Sequence, residues 1–254
     1  MAGETGLWTS RTIAILPLGA HEYHGPHLPL ETDTIIAKAV AGELRKALPE
    51  TTDAIFLEAE PVGYSPEHLD RPGTKSLAFD EAVNRWLGIA EDLATRGIRK
   101  LMLLNAHGGN APLMTIVATE ARIRLQMLCV ATSWTRFGVP DGLIAPEAKA
   151  IDIHGGEIET SVMLAVAPDK VDMSKAGDFP SAQSDIAERY RHLRAYGPHA
   201  FGWTMRDLNP DGAAGNAAAA TAEKGKALLD HSVSGLAELV TDIEKFELSA
   251  LRHD

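Results

Sequence analysis

Three polar stretches hold the residues whose types and spacing could do chemistry. The first, LPLGAHEYHGPHLPLETD at 16–33, sets Glu22, His24, His27, Glu31 and Asp33 within twelve residues. Glycines and prolines separate them, which favours a loop over a helix. The second, NAHGGN at 105–110, carries His107 followed by Gly108 and Gly109. The third, HGGEIET at 154–160, carries His154 and Glu157, three apart and therefore on one face of a helix. Imidazole nitrogen and carboxylate oxygen are the ligands that hard or borderline divalent metals take. The inventory suits two ions bridged by a carboxylate, a centre that activates water and polarises a carbonyl. The competing reading of the same residues is a hydrogen-bonded network that orders long loops.

Other chemistries fit poorly. HEYHG at 21–25 is not HExxH, because its histidines are three apart and it lies outside a helix. No GxSxG elbow occurs, and Ser161 falls inside a predicted helix. Cys129 sits in the apolar run LQMLCVAT, a poor setting for a nucleophile. NAHGGN lacks the GxGxxG pattern, and no glycine loop ending in Lys-Ser/Thr is present. Gly108 and Gly109 read either as room for close approach of substrate or metal, or as a tight strand-to-helix turn.

The elements that must position these stretches follow from apolar periodicity. Thr12 to Leu16, Ala54 to Leu57, Lys100 to Leu104 and Met127 to Thr132 read as strands. Helices are predicted over Thr34 to Leu48, capped by Thr32 or Asp33, over Phe79 to Arg96, and from Asn110 to about Leu125. Strand, loop and helix alternate, which implies parallel strands with helices on both faces. The first and third loops leave strand ends, where open α/β sheets place their sites. The stretch from Trp134 to Asp152 reads as a long loop, and Glu157 to Val166 as a helix closed before Pro168. Asp169 to Asn216 is irregular and long, so it covers the site or makes subunit contacts. The alanine-rich stretch Gly215 to Leu229 reads as a helix, completed or followed by Leu236 to Phe246. The first ten residues are mixed and loosely specified.

Bulk properties narrow the class. With 254 residues and no linker or repeat, one catalytic domain over 1–254 is the simplest organisation. A formal net charge of −11 argues against nucleic acid or an anionic membrane as partner. A single cysteine rules out an intrachain disulfide and fits a cytoplasmic protein. No window of 18 apolar residues appears, which argues against membrane spanning.

The blocks LPLGAHEYHGPHLPLETD, GYSPEHLDRPGTKSL, NAHGGN, HGGEIETS and GAAGNAAAATAEKG occur in this order from residue 16 to about 225. Together they resemble the creatininase, or creatinine amidohydrolase, family. The resemblance implies a three-layer α/β/α fold with a mainly parallel central sheet. It also implies a divalent metal centre, commonly of two zinc, manganese or iron ions per chain, amide C–N hydrolysis and a homo-oligomer, often a hexamer. Carried over by motif, Glu22, Asp33 and His107 bind one metal, and His24 and Asp33 the other, with Asp33 bridging. The creatinine-hydrolysing member has tyrosine and glutamate where this chain has Gly108 and Gly109. The glutamate there binds the second metal, and Glu157 is the nearest substitute here. Relatives with the glycine form remove formyl groups from pyrimidine intermediates or cleave a small precursor peptide.

The expected activity is therefore hydrolysis of a small-molecule amide, with His154 or Glu157 carrying a proton to the leaving nitrogen. His68 in the second loop could line the pocket. Trp134, His199 and Trp203 could wall a small polar ring, and Gly108 and Gly109 would widen its edge. A non-catalytic metal-binding oligomer and a sugar-ring or lactone hydrolase are the other classes open to this sequence.

Overall fold

Strand β1 (Ile13–Leu18) is buried on both faces, and its alternation sorts side chains into two cores. Ile13 and Ile15 point to one, and Ala14, Leu16 and Leu18 to the other. A continuous apolar run of this kind is the mark of a parallel strand covered on both sides. The computed structural model describes residues 8–251, so most of the loosely specified N-terminal stretch lies outside the described residues. After β1 come helix α1 (Thr32–Ala47), β2 (Ala54–Phe56), α2 (Phe79–Thr95), β3 (Lys100–Asn105), α3 (Ala111–Leu125) and β4 (Leu128–Ser133). Then follow α4 (Pro146–Ile151), α5 (Glu157–Val166), β5 (Asp178–Phe179), α6 (Gln183–Arg189), α7 (Met205–Leu208), β6 (Gly215–Asn216) and α8 (Ala222–Lys245).

The four long-sheet strands pair in parallel in the order β2-β1-β3-β4. Helices α1, α5 and α8 cover the face of Ile13, Ile15, Met102 and Leu104. Helices α2 and α3 cover the opposite face, with Trp86 fully buried there. The result is the expected three-layer α/β/α arrangement. The chain leaves β1 toward β2 on one side and returns to β3 on the other. The ends of β1 and β3 thus form a topological switch point, where loops diverge and leave a crevice. At the opposite end, buried Lys100 donates to the carbonyls of Ile243 and Glu244, at 2.7 and 2.9 Å. A cation there favours the C-terminus of α8.

Several boundaries differ from the sequence reading. Thr32 and Asp33 lie inside α1, and Glu31 is its N-cap residue without a side-chain cap bond. The predicted loop 134–152 contains a 3-10 turn at Trp134–Phe137 and helix α4. The irregular stretch 169–216 holds a two-stranded antiparallel pair, β5 with β6, and two short helices. Residues 215–219 are strand and 3-10 turn, not helix. Thr221, whose hydroxyl accepts from Lys224 N, caps α8, and one helix runs through to Lys245. No helix among the described residues is long and apolar enough to cross a membrane.

Candidate metal centre

The loops after β1 and β3 meet the loop before α5 at the switch point. Asn110 ties the first three loops together. Its Nδ2 donates to Gly19 O and Asn105 Oδ1, both at 3.1 Å, and its Oδ1 accepts from Tyr64 N at 2.9 Å. Asn105 in turn fixes the backbone of His107, accepting from its N at 3.1 Å and donating to its carbonyl at 2.5 Å. The third approach is set by Asp152, whose Oδ2 accepts from Glu157 N and Ile158 N and so starts α5. Gly155, at φ +59°, carries the chain past His24, where a Cβ would come within 3.0 Å of the His24 carbonyl.

Three histidines enter this space, each held by a backbone carbonyl. His24 Nδ1 meets Glu22 O at 2.9 Å, His107 Nε2 meets Tyr64 O at 2.9 Å, and His154 Nε2 meets Tyr23 O at 2.8 Å. A carbonyl only accepts, so these nitrogens carry the protons. In the neutral rings the other nitrogens present lone pairs to the interior, the arrangement that prepares histidine to bind a metal.

Those inward nitrogens face carboxylates. His107 Nδ1 lies 3.0 Å from Glu22 Oε1 and 3.3 Å from Asp33 Oδ2. His24 Nε2 lies 3.2 Å from Asp33 Oδ1 and 3.9 Å from Glu159 Oε2. His154 Nδ1 lies 3.6 Å from Glu22 Oε1. Glu22, His24 and Asp33 are almost fully buried. Yet neither oxygen of Glu22, nor Asp33 Oδ2, accepts a hydrogen bond among the described residues. Buried carboxylates that face imidazole lone pairs and lack donors are costly unless a cation sits among them. The donor set therefore fits divalent metal. Three groups within reach of an ion recur: Glu22, Asp33 and His107; His24, Asp33 and Glu159; and Glu22, His24 and His154.

The electrostatics carry the same message. Burial would lower the His24 imidazole, but Asp33, Glu159 and Glu22 outweigh it and lift it to about 10. Burial opposes protonation of His107 too, and Glu22 and Asp33 carry it well above the usual range. Burial pushes Glu22 up, but His107, His68 and His154 hold it well below the ordinary carboxylate range. The carboxylates that raise these two imidazoles would equally attract a divalent ion, whose binding takes the unprotonated rings.

The structure does not treat every candidate residue alike. Glu22, His24, Asp33 and His107 converge, and His154 joins them, its ring stacked on His24 at 4.1 Å. Glu157 does not join. Its Oε1 is paired with Lys224 of α8, and it belongs to none of the groups that come within reach of an ion. Glu159, which the sequence reading passed over, takes that place from two residues further along the first turn of α5. Its Oε2 also accepts from Gly155 N at 2.6 Å, and burial lifts its carboxyl to about 7. His68 belongs to the wall, with Nε2 3.5 Å from Glu22 Oε1 and its ring 4.2 Å from His154. Trp203 stands edge-on to His68 at 6.5 Å. Trp134 is buried in the core beneath α8, and its carbonyl accepts from Ser232. His199 is exposed and lies against His192 instead. Gly108 has open space at its Cβ position. Gly109 does not widen the pocket: a Cβ there would lie 2.3 Å from Tyr64 O, 2.5 Å from His107 Nε2 and 2.8 Å from Glu67 Oε1. The second loop fills that space. Cys129 is half-buried, and burial pushes its thiol to about 12, as an inert thiol requires. Ser161 is buried, and its hydroxyl accepts from Thr221 N, a structural role.

Sheet order, switch-point loops and this donor set define a metal-dependent hydrolase scaffold. Residues 5–240 match the creatininase (creatinine amidohydrolase) family, and the chain belongs to that family of metal-dependent amidohydrolases. Mycofactocin precursor peptide peptidase of Mycolicibacterium smegmatis is 32% identical over 232 residues, spanning 90% of this chain and 84% of the relative. A 3-dehydro-scyllo-inosose hydrolase of Thermotoga maritima is 28% identical over 256 residues, spanning 94% and 80%. A crystal structure of creatinine amidohydrolase (creatininase) superposes with a TM-score of 0.75 at 26% identity, covering 93% of this chain and 92% of that one. A creatininase variant in a zinc–zinc form superposes with the same TM-score at 25% identity, covering 93% and 92%.

Proposed function

We propose that this chain hydrolyses an amide C–N bond in a small polar substrate at a centre of two divalent ions, zinc, manganese or iron. The observation that carries the proposal is Asp33, whose two oxygens face two different ligand sets. Glu22, Asp33 Oδ2 and His107 Nδ1 would hold one ion. His24 Nε2, Asp33 Oδ1 and Glu159 would hold the other, with Glu159 in the role first given to Glu157. Bound there, the ions supply water activation at neutral pH and polarisation of the substrate carbonyl. The chain's own part is to fix that geometry. Tyr23, Tyr64 and Glu22 carbonyls orient the three imidazoles, and His68 and Trp203 wall the approach.

His154 carries the proton to the leaving nitrogen through Nδ1, because its Nε2 is committed to Tyr23 O. His154→Asn is expected to lower turnover by about 10²-fold or more while metal content stays near normal. Elemental analysis beside the rate measurement decides it. Loss of metal with activity would make His154 a ligand, in line with its place beside Glu22 and His24.

A second reading, removal of a formyl group or cleavage of a peptide end, is favoured by the open space at Gly108 and by the likeness to the precursor peptide peptidase. The sugar-ring class also stays in view through the inosose hydrolase relative. A metal-supplemented screen of cyclic amides, formamides and short peptides, read by mass spectrometry, separates these. Creatinine is expected to be a poor substrate, since the tyrosine and glutamate of its hydrolase are Gly108 and Gly109 here, and a lost polar partner costs recognition. Efficient, saturable creatinine turnover would overturn the substrate inference. Cleavage of lactones or carbon–carbon bonds alone would overturn the reaction class. The chain is further read as one catalytic domain, self-associating and cytoplasmic, the last from its single unpaired cysteine.

A further inference from the structure

Helix α8 carries a cation where its dipole does not favour one. Lys224 stands in the first turn, at the positive end of the helix. Its ammonium turns back into the molecule. It donates to Glu157 Oε1, at the start of α5, and to the carbonyl of Ala219 at 2.9 Å. Only 6% of the Glu157 side chain and 28% of the Lys224 side chain are exposed. A pair this far from water costs desolvation to form, and removal of one partner alone costs more, because it strands a buried charge.

The two helices meet closely around this pair. Thr221 N donates to Ser161 Oγ at 3.2 Å, and a Cβ on Gly225 would run into the Ser161 carbonyl. Glu157 and Glu159 share the first turn of α5, and residues two apart on a helix do not face the same way. With Glu157 held toward α8, Glu159 turns to the centre. Its Oε2 lies 3.9 Å from His24 Nε2 and accepts from Gly155 N at 2.6 Å.

We propose that Lys224 is a positioning residue for the metal centre: its pairing with Glu157 fixes the first turn of α5 so that Glu159 is the carboxylate presented beside His24 and Asp33. The effect is one of charge. Without the ammonium, Glu157 is a buried, unpaired carboxylate, and the turn has to move to hydrate it. Glu159, two residues on, moves with it. Glu22, Asp33 and His107 belong to other elements and keep their places. This inference rests on the two-ion reading, and the experiment tells the two failures apart.

Zinc is the probe. The reconstituted wild-type protein should hold two ions per chain by elemental analysis after gel filtration. Lys224→Met should weaken one of them by about 10-fold or more in competition with a chelator, the scale for groups that support a ligand, and leave the other unchanged. Glu157→Gln combined with Lys224→Met should restore the weakened ion, because no carboxylate is then left unpaired. Far-UV circular dichroism of the metal-free proteins should be the same throughout, which separates a moved turn from lost folding. A wild-type protein that holds fewer than two ions would overturn the two-ion reading, and this inference with it. Lys224→Met with both ions at wild-type affinity would overturn the role of Lys224 alone. Equal weakening of both ions, or no recovery in the double variant, would overturn it too, in favour of plain packing between α5 and α8.

Discussion

Asp33→Ala is expected to release both ions and to reduce turnover by more than about 10²-fold, because removal of even a supporting group around a metal ligand costs 10- to 100-fold. The expectation comes from the position of its two oxygens. Oδ1 lies 3.2 Å from His24 Nε2 and Oδ2 lies 3.3 Å from His107 Nδ1, so one side chain serves both sets. Alanine leaves His24 with Glu159 and His107 with Glu22, so each of the two groups that share Asp33 loses one of its three donors. Glu22→Ala should act on one side only, emptying the site of His107 while the site of His24 keeps its metal. Elemental analysis of both variants after reconstitution is the deciding measurement. If Asp33→Ala keeps two ions per chain, the bridge is wrong, whatever happens to the rate. Circular dichroism guards against a trivial loss, since Asp33 sits in the first turn of α1 and is buried.

Why four of the proposed ligands are legible in sequence, and a fifth is not, has a physical answer. Glu22, His24, Asp33 and His107 follow directly on β1 and β3, strands readable as unbroken apolar runs, and parallel pairing brings those ends together. Glu157 and Glu159 both stand in the first turn of α5, whose bounds the periodicity also reads correctly. Which of them turns inward depends on Lys224, 67 residues away on α8, and no local signal carries that. Trp134 fails for the same reason: an aromatic after a strand end reads as a pocket wall until α8 is seen to cover it. The stretch 215–219 shows tertiary context overriding propensity. Its alanines favour helix, but Gly215 at φ +138° and Asn216 pair with β5, and the helix waits for the Thr221 cap. Thr32 and Asp33, read as alternative helix caps, both lie inside the helix, and the Asp33 carboxylate faces the histidines instead of capping backbone N–H groups.

The adjacent glycines 108 and 109 carry opposite stability expectations. Gly109→Ala is expected to cost about 1–3 kcal/mol, the usual range for forcing a methyl group into filled space. The new Cβ would meet Tyr64 O, His107 Nε2 and Glu67 Oε1, all closer than 3.0 Å. Two of these are the partners of one hydrogen bond, His107 Nε2 to Tyr64 O at 2.9 Å. Relief therefore has to separate the second loop from the imidazole and release its orientation. Metal affinity should fall with it, by about 10-fold or more, since that carbonyl is what aims His107 Nδ1 at Glu22 and Asp33. Gly108→Ala, one residue earlier, meets nothing within 4 Å and should stay within about 0.5 kcal/mol of the parent with unchanged metal binding. Thermal unfolding of the metal-free proteins and competition titration with a chelator would measure both effects. Equal behaviour of the two variants would show that the second loop does not press on the His107 turn. The same contacts bear on specificity. A glutamate introduced at 109, the residue that the resemblance assigns to the creatinine-hydrolysing member, has no room for its own Cβ here. It should lose metal, not gain a ligand, because Glu159 already faces His24.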